Sequence, residues 1–259
     1  MMRALLAEIV KLRRSNYTLI ALAVVTIAPA LASVIVASLL DPNQAESLGL
    51  TPEAAAQIGE PGWPLIFTSV ADLVGTGLGT IMFSIMAASL FVREHQSGTM
   101  KMMLTVPVTR ASIVVAKLVA LAGWIGLILV YLIGASLVAG ILGGLDAPLP
   151  AEMLSGILLL IRVTVLIYLS LGVVCFLASL GKGYLLPMGF AGAMLAIAVI
   201  FANNPAAAYV PWVMPAIEAT SSTGDVGPLS AIHWVIAVAV FVASGVATWI
   251  RLRFSDAPR

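Results

Sequence analysis

The lysines and arginines of this 259-residue chain are segregated, and their placement constrains the fold more than any other feature. Arg3, Lys11, Arg13 and Arg14 precede the first long apolar run. Arg93, Lys101, Arg110 and Lys117 share one central stretch, Lys182 stands in a Gly-Lys-Gly turn, and Arg251, Arg253 and Arg259 close the chain. The runs between these clusters are long enough to cross hydrocarbon about 30 Å thick as helices. Short loops rich in Lys and Arg stay on the cytoplasmic side, so the clusters predict a single inner face. The intervening polar segments carry acids only: Asp41, Glu46, Glu53 and Glu60, then Asp146 and Glu152, then Glu218 and Asp225. These predict an outer face. Six spans with both termini inside satisfy the pattern.

Composition agrees. The chain is 61% hydrophobic and 10% charged, with a mean hydropathy of +1.10, whereas soluble domains carry about a quarter charged residues. The class expected is therefore an all-α polytopic membrane protein, a single transmembrane domain over 1–259. Its spans are expected near 17–40, 65–92, 118–142, 153–180, 184–202 and 229–250. No basic patch is large enough to neutralise many phosphates, so nucleic-acid binding is not expected. The single cysteine, Cys175, lies in an apolar run and cannot form an intrachain disulfide.

Within residues 1–16, Leu5, Leu6, Ile9 and Leu12 alternate with the basic residues at helical spacing, which predicts an amphipathic helix on the inner surface. The alternative is a leader cleaved after Ala30-Leu31-Ala32, which would remove the basic cluster that sets the topology. Thr51-Pro52-Glu53 suggests a short helix in the first outer loop. Gly75, Gly77 and Gly79 fall in the second span, and Gly75 with Gly79 has the spacing that lets helix backbones approach closely in lipid.

The central stretch reads as a short amphipathic helix between breakers. Gly98 and Pro107 bound it, Thr99 is positioned as an N-cap, and Met100, Met103 and Leu104 share one face. Between spans five and six, Pro205, Pro211 and Pro215 forbid a continuous helix. With Asn204, Tyr209, Trp212 and Glu218, this segment reads as a broken, re-entrant pair of short helices at the outer interface.

Two charges remain inside spans, Asp72 and Arg162. At ~1.5 Å per residue each lies on the order of 10–14 Å below the outer end of its span. Equal depth and opposite sign predict an ion pair, either a fixed lock between spans two and four or a polar lining of a substrate path. A proton relay fits less well, because no His or second carboxylate is expected at that depth. Met82 and Met86 share a face but have no Cys or His near them, so they read as core packing. His95 and His233 are predicted far apart, one inside and one near the outer surface, so a two-His metal site is not expected. No nucleophile and base constellation is visible, nor a GxxxxGK[ST] phosphate loop, so no catalytic site and no cofactor are expected in this chain.

The order of these features resembles the type-2 ABC transporter permeases. Phe91-Val92-Arg93-Glu94, Gly98-Thr99, Leu104-Thr105-Val106-Pro107-Val108-Thr109-Arg110 and Lys117 are similar to that family's run of an acid, a Gly-Thr pair, a Leu-x-x-Pro turn with Arg, and a Lys opening the next span. Asn204-Pro205 and Pro211-Trp212 resemble its outer half-helices. The resemblance implies a coupling helix over Gly98, Thr99, Met100, Lys101, Met103 and Leu104, shouldered by Arg93, Glu94 and Arg110. It also implies an ABC ATPase subunit in two copies that binds ATP and Mg, and a second permease, identical or homologous. The setting it implies is the bacterial cytoplasmic membrane, with export of a drug, antimicrobial peptide or lipid-like substrate. The rival reading is a stand-alone secondary transporter using Asp72 and Arg162.

Overall fold

A computed structural model describes residues 16–41, 58–96, 109–181, 183–202, 204–221 and 227–254, together with isolated positions that include Glu8 and Lys11. Every regular element among the described residues is helical. They are α1 Tyr17–Leu40, α2 Trp63–Thr76, α3 Leu78–Gln96, α4 Arg110–Leu142, α5 Pro150–Ser179 and α6 Leu185–Phe201. A 3-10 turn at Pro205–Tyr209, α7 Met214–Thr220 and α8 Ala231–Phe254 complete the set.

Four helices, α1, α4, α5 and α8, are long and apolar enough to cross a membrane. The second expected span is one apolar stretch in two pieces, with α2 and α3 meeting at Gly77 in a bend of 43°. Taken together they make a fifth candidate. Helix α6 has 17 residues, about 25 Å at the α-helical rise and short of the ~30 Å of hydrocarbon.

Local chemistry sets the ends. Thr109 caps α4, accepting from Ser112 N at 3.4 Å, as the helix start expected near Thr109 requires. Glu152 reaches back to accept from Leu149 N at 3.2 Å ahead of α5, and Pro150 supplies a first residue that needs no N–H partner. The bend at Gly77 frees carbonyls, and Thr80 Oγ1 donates to Gly75 O at 2.8 Å to satisfy one of them.

Helix α5 is the axis of the bundle. It packs against α8, α2, α3 and α7, and 56% of its apolar window is buried, against 22% for α8. Lipid is as apolar as the side chains, so close packing holds such helices together. Aromatic rings fill glycine sockets: a Cβ on Gly156 would overlap the Phe67 ring, and one on Gly140 would overlap Trp63. Gly75 serves the approach expected of it within this chain, since a Cβ there would lie 2.9 Å from Pro215 O of α7 and 3.1 Å from Val163 of α5. Gly79 instead lies against Val74 across the bend and belongs to the break. Met82 and Met86 are packed in the main core.

Candidate coupling end and intramembrane charges

Gly98, Thr99, Met100, Lys101, Met103 and Leu104 lie outside the described residues, as do Lys182, Arg259 and the expected short helix at Thr51-Pro52-Glu53. Both shoulders of the central stretch are described, and they converge. On the α3 side, the Arg93 guanidinium stands 5.3 Å from the centroid of the Tyr17 ring of α1. Tyr17 in turn hydrogen-bonds Tyr184, the residue that opens α6. Glu94 and His95 belong to the last turn of α3.

On the α4 side, Arg110 Nη1 donates to Leu252 O at 2.8 Å and to Arg253 O at 2.7 Å. These carbonyls belong to the last turn of α8, where intrahelical donors run out and a cation offsets the negative end of the helix dipole. The arginine therefore fastens the start of α4 to the end of α8.

Lys117 is the residue whose weight the sequence conceals. It is 1% exposed, and its Nζ donates to Leu90 O at 2.6 Å and to Glu8 Oε1 at 3.2 Å. It also lies 5.3 Å from the centroid of the Phe91 ring. Glu8, 3% exposed, takes a second cation from Lys11 at 3.0 Å, while its Oε2 is buried with no partner among the described residues. One ammonium thus joins the N-terminal segment, the end of α3 and the start of α4. Removing one member of such a buried pair typically costs about 3–5 kcal/mol, because the other charge is left unpaired. Two signals could have found it. Glu8 is the sole acid of its amphipathic segment, and Lys117 follows an uninterrupted apolar run.

At the opposite end, Arg162 and Asp72 do not pair. The partner of Arg162 is Glu218, with Nε 3.0 Å from Oε1, and Glu218 Oε2 accepts from Leu229 N at 3.3 Å. Equal depth of Asp72 and Arg162 holds only for straight helices with Glu218 outside the bundle, and neither condition is met. In the fold, α7 is inserted among α5, α2 and the 3-10 turn, and Glu218 is 1% exposed. The proline-rich segment contains two short pieces, the 3-10 turn and α7. Asn204 accepts from Ala206 N at 3.0 Å to start the first, and Pro205 and Pro215 stand near the beginnings of the two. Pro211 and Trp212 form the turn between them, and the Trp212 ring meets Phe190 of α6 edge-on at 5.2 Å.

Asp72 has no cationic partner among the described residues. Its neighbour is Thr76, whose hydroxyl donates to Asp72 O at 2.6 Å and whose side chain also hydrogen-bonds the carboxyl. A charge held in hydrocarbon without a partner costs at least ~2.5–3.5 kcal/mol on insertion scales. Among the described residues no group of three or more His, Cys, Asp and Glu could hold a metal ion. His233 instead accepts from Ser230 N at 3.0 Å at the start of α8.

The all-helical bundle, with four helices and one bent pair long and apolar enough to span a membrane, defines a class: a multi-pass helical membrane protein. Comparison with known proteins gives the family. Residues 4–201 match the model described as ABC-2 family transporter protein, and the chain belongs to that family, the type-2 ABC permeases. A curated relative is bacitracin transport permease protein BCRB from Bacillus licheniformis, 25% identical over 135 residues, which are 52% of this chain. The match spans 65% of that relative's length. The family match stops before the 3-10 turn, α7 and α8, so the Arg162 and Glu218 pair is read from the structure alone.

Proposed function

We propose that the chain is the membrane subunit of an ATP-driven exporter in a bacterial cytoplasmic membrane. In this reading it crosses six times, with α2 and α3 as one bent span, α6 as a short fifth span and both termini inside. Two copies of a separate ABC ATPase burn ATP with Mg, and a second permease, identical or homologous, completes the pore. Residues Gly98–Leu104 form the helix that docks on the ATPase. ATP-driven closure of the ATPases moves that helix, and the bundle tilts with it. The cargo is a drug, an antimicrobial peptide or a lipid-like molecule, a range consistent with the bacitracin-transport name of the relative.

The observation that carries this reading is the convergence on the two shoulders. Arg93, Arg110 and Lys117 tie α3 and α4 to α1, α8 and the N-terminal segment, so a push on the connecting stretch reaches most of the bundle at once. A secondary transporter built on an Asp72 and Arg162 pair loses its premise, because that arginine is already neutralised by Glu218.

The test is co-expression with a candidate ABC ATPase that carries a phosphate loop. The wild-type chain should hydrolyse no ATP by itself and should co-purify with the ATPase. Gly98→Glu or Met103→Glu should break the coupling while the permease still folds. A complex that assembles and hydrolyses normally with both changes refutes the assignment.

A further inference from the structure

Asp72 is one element of a longer pattern. Thr68, Asp72, Thr76 and Thr80 recur every four residues along α2 and across the bend into α3, and all four are partly exposed. From Thr68 to Thr76 the row extends for about 12 Å at ~1.5 Å per residue, and Thr80 follows beyond the 43° bend at Gly77.

The chemistry of the row has a direction. Thr68 Oγ1 donates to Pro64 O at 2.9 Å, Thr76 Oγ1 to Asp72 O at 2.6 Å, and Thr80 Oγ1 to Gly75 O at 2.8 Å. Thr68 and Thr80 turn their hydroxyl hydrogens into the helix, so their lone pairs are what the open side offers, while Thr76 shares its hydrogen between Asp72 O and the Asp72 carboxyl. The central member is a carboxylate, an acceptor only when ionised. The cation that could have neutralised it, Arg162, is held by Glu218. A face of acceptors around an uncompensated negative charge is complementary to a ligand that brings donors and positive charge, and it repels an anion.

We propose that the Thr68, Asp72, Thr76 and Thr80 face is a binding surface for a cationic amphiphile, with the ammonium of the cargo on the Asp72 carboxylate. The threonine oxygens form steps on either side of the charge, so the cation is passed along acceptors as it crosses. This rests on the permease reading and names the chemical class of cargo that the bundle takes.

The experiment uses the full chain in lipid nanodiscs and two probes, dansyl-labelled dodecylammonium and dansyl-labelled dodecanol. The ratio of their affinities cancels partitioning into the lipid. The wild type should prefer the ammonium by about tenfold, the scale of one charge-assisted contact, ~1.4 kcal/mol. Asp72→Glu should keep that preference and Asp72→Asn should abolish it. Thr76→Val with Thr80→Val should reduce it while leaving the charge, which keeps the test open where the asparagine variant does not fold. Equal binding of the two probes by the wild type means that Asp72 carries a proton, and the proposal falls. An undiminished preference in Asp72→Asn also overturns it. Assembly with the ATPase is scored on the same preparations. No cation preference with normal assembly sinks the binding surface alone, whereas no assembly sinks the permease reading and the proposal with it.

Discussion

Lys117→Met isolates the buried pair that joins the N-terminal segment to both shoulders of the central stretch. The substitution keeps the length of the side chain and removes the ammonium that stands 2.6 Å from Leu90 O and 3.2 Å from Glu8 Oε1. Glu8 is then left 3% exposed, with only the half-exposed Lys11 at 3.0 Å and with Oε2 already lacking a partner among the described residues. The expected loss is about 3–5 kcal/mol. At ~2–4 °C per kcal/mol for a chain of this size, that lowers Tm by roughly 6–20 °C. The chain carries its own reporter, because its one cysteine, Cys175, is buried in the core. A maleimide dye therefore reads unfolding as labelling of Cys175 during a thermal ramp. Glu8→Gln combined with Lys117→Met removes both buried charges, and the Lys11 that also met Glu8 is half-exposed. That double variant should recover to within about 1–2 kcal/mol of wild type, the strong non-additivity of coupled neighbours. A single variant within about 1 kcal/mol of wild type, or a double variant as unstable as the two changes summed, refutes the reasoning.

Two further outcomes follow from the same contacts. Glu218→Gln should destabilise the α5–α7 contact by about 1–3 kcal/mol, since the Arg162 it leaves is nearly half exposed. The exchange Arg162→Glu with Glu218→Arg should restore part of it, whereas exchanging Arg162 with Asp72 should restore nothing; Cys175 protection reads both. Gly75→Ala places a methyl 2.9 Å from Pro215 O and 3.1 Å from Val163 and should cost about 1–3 kcal/mol, while Gly134→Ala, which meets nothing within 4 Å, should be close to neutral.

Much of the helix layout was legible because it depends on neighbours in the chain. The start of α4 beside Thr109, the limits of α1 and the two short pieces around Pro205 and Pro215 all follow from caps, prolines and apolar run length. The charge partners were not legible. Glu8 and Lys117 are 109 residues apart, and the apolar run before Lys117 hints at burial without naming the partner. Counting acids placed Glu218 outside, since an acid in a proline-rich polar segment counts as loop; packing of Val213, Met214, Ala216 and Ile217 carries it into the bundle instead. Asp72 and Arg162 were matched by depth along straight rods, and the bend at Gly77 together with the insertion of α7 removes the basis for that match. The threonine row was present in the sequence at i, i+4 spacing, but its meaning needed the direction of each hydroxyl.

The side of the membrane on which the central stretch lies tests the account most directly. Met103→Cys, in a Cys175→Ser background, is probed in intact cells and in inverted vesicles with a membrane-impermeant maleimide. The account predicts labelling in inverted vesicles only, and protection of that thiol when the ATPase is bound. Labelling from the outside of intact cells, or no protection by the ATPase, contradicts it.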